Sequence, residues 1–405
     1  MTASAGIRGV LRAAAPAFLL SASLGRVPQA MMAVCVLTFL PSVGADFALA
    51  GLAAGAVGIG SALGAPVFGM LVDKTGPKRV LVAFAALQAA AFLGFIASAP
   101  ALAGQGGGWA TALLLLHAGL IGAACPQIGA VARVVWRQKF GTGPQMGAAM
   151  SYESTVDELS FALGPVLVGL CASFVSPFAP LVLSAVLVIS MVLVLVGRIP
   201  AVQMDHGSAG PRRLTGAPAA VVALCALAMV SMGTVFGGTL TSLLPFATAR
   251  GIPDATGLLY GGMSLASAIF ALSMPLWSQK VPPIPRWIGL GAALLVTAFA
   301  VGRVDGVVAM VVALFILGIP VGPTMVTVFE TAGLVAPSGI LATVMTLLGS
   351  GIVVGTALSS AAAGALASAG GSAAAFIVPL VGAAGILVTG VLLALFGRRA
   401  LTEQR

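Results

Sequence analysis

Arg26, Glu153, Asp157 and Glu158 fall inside apolar stretches of membrane length. A charged side chain deep in a bilayer is costly, so each of them needs a partner or a task. At 1.5 Å per residue, Arg26 and Glu153 lie at similar depths, roughly 10–12 Å into their stretches. Asp157 is one turn beyond Glu153 on the same helical face. Glu158 is turned from Asp157 by about 100°. The spacing predicts a cluster of Arg26 with Glu153 and Asp157. Two chemistries fit it. A carboxylate could gain and lose a proton, with Arg26 favouring the ion and desolvation the neutral acid. Alternatively, Arg26 and one acid form a permanent pair that fixes two helices together. Three acids against one arginine leave a surplus, which favours proton exchange at Asp157 or Glu158.

Other polar residues are scattered along similar stretches. His117, Gln127 (beside Pro126) and Tyr260 could offer hydrogen bonds to a ligand. A lone histidine among apolar residues is more often a packing residue. Glu330 falls at the end of an apolar stretch, where gating or structure is the expected role. The chain has two histidines, and its four cysteines, Cys35, Cys125, Cys171 and Cys225, all sit in apolar runs. Neither a metal centre nor a disulfide is expected. No Gly-x4-Gly-Lys-Ser/Thr phosphate loop occurs. The expectation is a non-enzyme without cofactor or metal.

The elements that must hold these residues follow from composition. The chain is 60% hydrophobic and 7% charged, whereas soluble domains carry about 25% charged residues. A surface of this kind suits lipid, and in lipid a long apolar run must be helical to satisfy its backbone. Twelve spans are predicted, at about 16–40, 47–71, 79–99, 109–135, 146–171, 178–196, 217–244, 255–277, 287–301, 306–329, 339–367 and 373–396. The reading is an all-α integral membrane protein with three parts: a six-helix bundle over 1–197, a polar linker over 198–216, and a second six-helix bundle over 217–405.

Charge placement supports an even number of spans. One side of the membrane receives Arg8, Arg12, Lys74, Lys78, Arg79, Arg133, Arg137, Lys139, Arg198, Arg212, Arg213, Lys280, Arg286, Arg398, Arg399 and Arg405. The other side receives Arg250 and Arg303. By the positive-inside rule, both termini are cytoplasmic. The net charge of +9 therefore sets topology and does not signal nucleic acid. An internal repeat accompanies the two halves. A shift of 206 residues aligns Gly51-Leu52 with Gly257-Leu258, Gly55 with Gly261, Ser61-Ala62 with Ser267-Ala268, Lys74 with Lys280 and Pro77 with Pro283. Two parallel six-helix repeats are a transporter pattern.

The hinge between spans 2 and 3 reads Gly69-x-x-x-Asp73-Lys74-x-Gly76-x-Lys78-Arg79. It resembles the loop 2–3 motif of the major facilitator superfamily of secondary transporters. In span 5, Gly164-Pro165-x-x-x-Gly169 is similar to part of that family's antiporter motif, without its upstream glycines. The segments around Arg26 and around Glu153 to Glu158 resemble a bacterial, actinobacterial subgroup of efflux type. The resemblance implies a proton-coupled efflux antiporter of the bacterial inner membrane, working by alternating access on a small, largely apolar compound. It implies a conformational latch at Gly69, Asp73, Lys74, Gly76, Lys78, Arg79 and Arg133, with Asp73 facing the start of span 11. Expected partners are the substrate, protons and the bilayer, with the protein a monomer. Uptake of a small metabolite or anion is the alternative, and a non-transporting sensor or assembly factor is another. The second hinge, around Lys280 to Arg286, lacks an acid in the place of Asp73, so it is expected to do little beyond holding topology.

Overall fold

A computed structural model describes residues 3–45, 47–103, 108–141, 144–199, 216–252, 255–277 and 280–396. Most of the predicted linker, with His206, Arg212 and Arg213, lies outside these residues, as do Arg398, Arg399 and Arg405. Among the described residues there is no strand, and twelve helices are long and apolar enough to cross a membrane. A short amphipathic helix, α1 (Ala3–Ala13), precedes them. Span 1 is α2 (Pro16–Leu24) with α3 (Val27–Ser42), followed by α4 (Phe47–Thr75) and α5 (Pro77–Ala103). Span 4 is α6 (Gly108–Ala123) with α7 (Ile128–Phe140). Spans 5 to 8 are α8 (Pro144–Phe174), α9 (Ala179–Arg198), α10 (Gly216–Thr248) and α11 (Thr256–Trp277). Spans 9 to 12 are α12 (Pro283–Val301), α13 (Val307–Val335), α14 (Leu341–Ala375) and α15 (Ile377–Phe396). Proline opens α2, α5, α8 and α12. Its missing N–H is harmless in the first turn, and its fixed φ suits a helix start.

Spans 1 and 4 are not the continuous helices that hydropathy predicts. Proline removes a donor and collides with the carbonyl four residues back. For Pro28 that carbonyl belongs to Leu24, where α2 stops. For Pro126 it belongs to Gly122, one residue before α6 ends. The two breaks touch: a Cβ on Gly25 would stand 2.6 Å from Ile128 Cδ1, and 2.7 Å from the Ser21 backbone oxygen, which cannot easily give way. The break also frees the Ile121 carbonyl, because Cys125 N–H turns to Gly122 O at 3.1 Å. Gln88, fully buried on α5, donates from Nε2 to Ile121 O at 3.0 Å and replaces the lost bond.

The chain forms two compact units. One contains Met1–Val10, Trp136–Leu159 and Ser208–Arg405, the other Leu11–Val135 and Ser160–Gly207. Span 5 contributes its first half to one unit and its second half to the other.

Within each unit, packing reproduces the repeat. A Cβ on Gly122 of α6 would overlap the Val57 carbonyl of α4 and lie 2.8 Å from Ser61 N. In the other unit, a Cβ on Gly318 of α13 would overlap the Met263 carbonyl of α11, and one on Gly322 the Ser267 carbonyl. Val57 and Ser61 shifted by the same 206 residues are Met263 and Ser267. Backbones in lipid approach this closely only where small residues permit it. The matched serines of the repeat thus mark equivalent helix–helix seams.

The hinge between α4 and α5 is a single residue. Gly76 has φ +87° and its N–H bonds Val72 O at 2.9 Å, which is a left-handed helix stop. Pro77 then starts α5. Alanine in that left-handed conformation costs about 1–2 kcal/mol. Gly76→Ala is therefore expected to lower stability by that amount, read as a reduced melting temperature in detergent. An unchanged melting temperature would show that the turn relaxes to another conformation.

Candidate functional site

The site is built on the first half of α8. Its first turns carry polar side chains that are nonetheless withdrawn from solvent: Ser151, Glu153 and Ser154 at 0% exposure, Thr155 at 5% and Glu158 at 6%. Asp157 is half-buried. The three acids occupy different surroundings. Glu153 Oε1 accepts a hydrogen bond from Trp136 Nε1 at 2.6 Å, and Trp136 is itself fully buried and stacked on Phe140. That is the setting of a fixed structural carboxylate. Glu158 turns the other way, toward α11. Ser267 donates to its Oε1 at 3.0 Å, and one turn earlier Thr155 Oγ1 donates to Ala268 O at 3.3 Å. Tyr260, half-buried, lies two turns before Ser267 on the same helix.

Ser267 and Trp136 were missed as site residues. Ser267 was visible as a repeat match to Ser61, but a serine among glycines and alanines carries no chemical signal of its own. Arg26 is buried at 4% exposure and stands between α2 and α3 as the residue preceding α3. It sits in the break of span 1, with Gly25 against Ile128 of span 4.

A charge pair lies elsewhere in the same unit. Arg286, in the first turn of α12, donates to Glu330 Oε2 of α13 at 2.5 Å, with side-chain exposures of 1% and 23%. This corrects the expectation for the second hinge, in which Arg286 is a loop charge that only holds topology. Arg286 is drawn into the first turn of α12 because Pro283 starts the helix three residues earlier. From there it reaches α13. Beside the pair, α8 comes so close that a Cβ on Gly147 would lie 3.5 Å from Glu330 Oε1. Arg137, Met146, Met150, Phe329 and Leu334 line a small cleft there with Glu330.

The remaining predicted residues are placed as follows. In the hinge, Gly69 is buried and Asp73 half-buried in the last turn of α4, while Lys74, Lys78 and Arg79 are exposed. Arg133 is buried at 4% exposure on α7. His117 Nδ1 lies 3.2 Å from Ser98 Oγ, and Phe95 meets the imidazole edge-on, which makes it a packed, hydrogen-bonded histidine. Gln127 donates to Cys125 O at 3.1 Å and braces the break in span 4. Gly164 fits against Ala30 of α3, since a Cβ there would lie 2.7 Å from the alanine methyl. Pro165 and Gly169 are exposed, with open space around Gly169.

Twelve spans among the described residues, matching glycine seams within each unit and buried ionisable groups are what a polytopic secondary transporter presents. The family model "Major Facilitator Superfamily" matches residues 3–350, and the chain belongs to that family. It is a multi-pass membrane transporter and not an enzyme. Comparison with curated proteins finds no match. Solved structures share the fold. A bacterial homologue of the iron transporter ferroportin, in an outward-facing state, is 19% identical over 95% of this chain and 99% of that chain, with a TM-score of 0.74. The transporter FucP, in the outward conformation, is 16% identical over 93% and 98%, with a TM-score of 0.66. The human organic anion transporter MFSD10 is 15% identical over 94% and 100%, with a TM-score of 0.68.

Proposed function

We propose that this chain is a proton-coupled exporter of a small, largely apolar compound in the bacterial inner membrane, with both termini cytoplasmic. Residues 1–197 and 217–405 form the two rocking bundles, and the protein works as a monomer. The observation that carries the reading is Glu158. It is a buried carboxyl within a span, hydrogen-bonded from span 5 to span 8. Under this division the Glu158–Ser267 and Thr155–Ala268 bonds join the two bundles, so rocking must break them. A proton on Glu158 changes what that rupture costs, because a bare carboxylate in apolar surroundings is far less tolerable than the neutral acid. That is the energetic link a coupled transporter needs. The sparsity of amide and aromatic side chains supports an apolar cargo. Asp73 and its basic neighbours act as the latch of the N-terminal bundle, as the family resemblance implies.

The test is counterflow in proteoliposomes with a panel of small apolar compounds. For any compound exchanged, an acidic exterior is then imposed. Efflux should accelerate and should return to its basal rate when a protonophore collapses the gradient. Exchange indifferent to both treatments would overturn proton coupling.

A further inference from the structure

The surroundings of Glu158 hold an unused group. In the helices, buried hydroxyls commonly bond the carbonyl one turn back: on α8, Ser151 Oγ donates to Gly147 O and Thr155 Oγ1 to Ser151 O, both at 2.9 Å. Ser154, between them and fully buried, does not, and its Oγ has no hydrogen-bond partner among the described residues. Glu158 is one turn further along the same face, where side chains four apart lie within about 5–6 Å at Cβ. Among the described residues, Ser267 is the one donor to Glu158, through Oε1. A carboxylate has about four lone-pair positions to satisfy. A buried carboxyl with one hydrogen bond therefore stands a turn away from a buried hydroxyl with none.

A proton on the acid supplies the partner that Ser154 Oγ lacks. Resting on the coupling role given to Glu158 above, we infer that Ser154 is the positioning residue of the proton site: the protonated acid donates its Oε2–H to Ser154 Oγ while Ser267 donates to Oε1. The proton arrives from water, forms the Oε2–H bond, and returns to water when that bond breaks. Nothing else is transferred. A hydrogen bond made only by the neutral form favours that form. The titratable groups nearby are Asp157 and Glu153 on α8 and Tyr260 on α11. Arg286 and Glu330 belong to the cleft by Gly147, three turns away along α8.

The experiment is infrared difference spectroscopy of the full-length protein in lipid, titrated with pH without substrate or gradient. Glu158→Gln identifies the carboxylic C=O band. Ser154→Ala should shift that band and lower its proton affinity roughly fivefold, the weight of one hydrogen bond. Ser154→Thr, which keeps the hydroxyl, should restore both. An unmoved band and midpoint in Ser154→Ala would overturn the inference. So would loss of the band on adding Na+ at fixed pH, which would mark a metal-cation site. The two readings fail separately. Gradient-driven transport that vanishes in Glu158→Gln, with a Ser154-independent band, removes Ser154 alone. A Ser154-dependent band with transport blind to pH removes proton coupling and leaves the site.

Discussion

Glu158→Gln is expected to abolish gradient-driven transport while leaving a folded protein that still exchanges substrate. Glutamine keeps an acceptor for Ser267 and nearly the same volume, so the contact between α8 and α11 at 3.0 Å survives. What it cannot do is carry a proton. Net flux under a pH gradient should fall by about a hundredfold or more, the range for losing an essential proton-transfer group. Counterflow, which needs no net proton movement, should persist. Asp157→Asn is the matched control, because Asp157 is adjacent in sequence but only half-buried. If Asp157→Asn stops coupled flux and Glu158→Gln does not, the titrating acid is Asp157. Glu153→Gln should act on stability before coupling, since its carboxylate is held by Trp136.

The largest stability effect is expected at Arg286. Its guanidinium is 1% exposed and bound to Glu330. Arg286→Met keeps the length of the side chain but leaves the Glu330 carboxylate partly buried and without its guanidinium partner. Removing one member of a buried pair costs about 3–5 kcal/mol. The lower end applies here, because Glu330 retains 23% of its exposure and some hydration. Removing both charges in Arg286→Met/Glu330→Leu should recover most of the loss, since an apolar replacement of a buried pair is often neutral. Urea or thermal unfolding in detergent reads both variants. A double variant as unstable as the sum of its singles would show that the two residues do not act as a pair.

How much of this was legible in the sequence depends on whether a feature is periodic or three-dimensional. Twelve spans could be read directly, because lipid leaves an apolar run no alternative to helix. The Gly76-Pro77 turn was legible too, since those two residue types demand one conformation each. The breaks in spans 1 and 4 could have been suspected from Pro28 and Pro126. Hydropathy averages over them, however, and proline is often tolerated within membrane helices. Roles at the site were the least legible. The three acids of span 5 look alike in sequence, and what separates Glu153 from Glu158 is a tryptophan 17 residues away and a serine 109 residues away. Arg286 was misread because a residue just before a predicted helix looks like a loop charge, until the proline that starts the helix is placed.

The interruption of span 1 has a consequence for how the protein is made. Arg26 sits near the middle of span 1. Spans 1 and 5 share the lowest mean hydropathy of the twelve, 1.4 each. An arginine at mid-helix disfavours insertion by about 2.5–3.5 kcal/mol. Gly25, beside Arg26, packs on Ile128 of span 4, which is synthesised 103 residues later, from position 25 to position 128. At about 5–20 residues per second, that delay is roughly 5–20 seconds. For that time the first span must wait at the insertion machinery, or lie only partly inserted, with its break unpacked. Biogenesis of this transporter is therefore paced by its fourth span, and truncation before residue 128 should leave the first span poorly integrated.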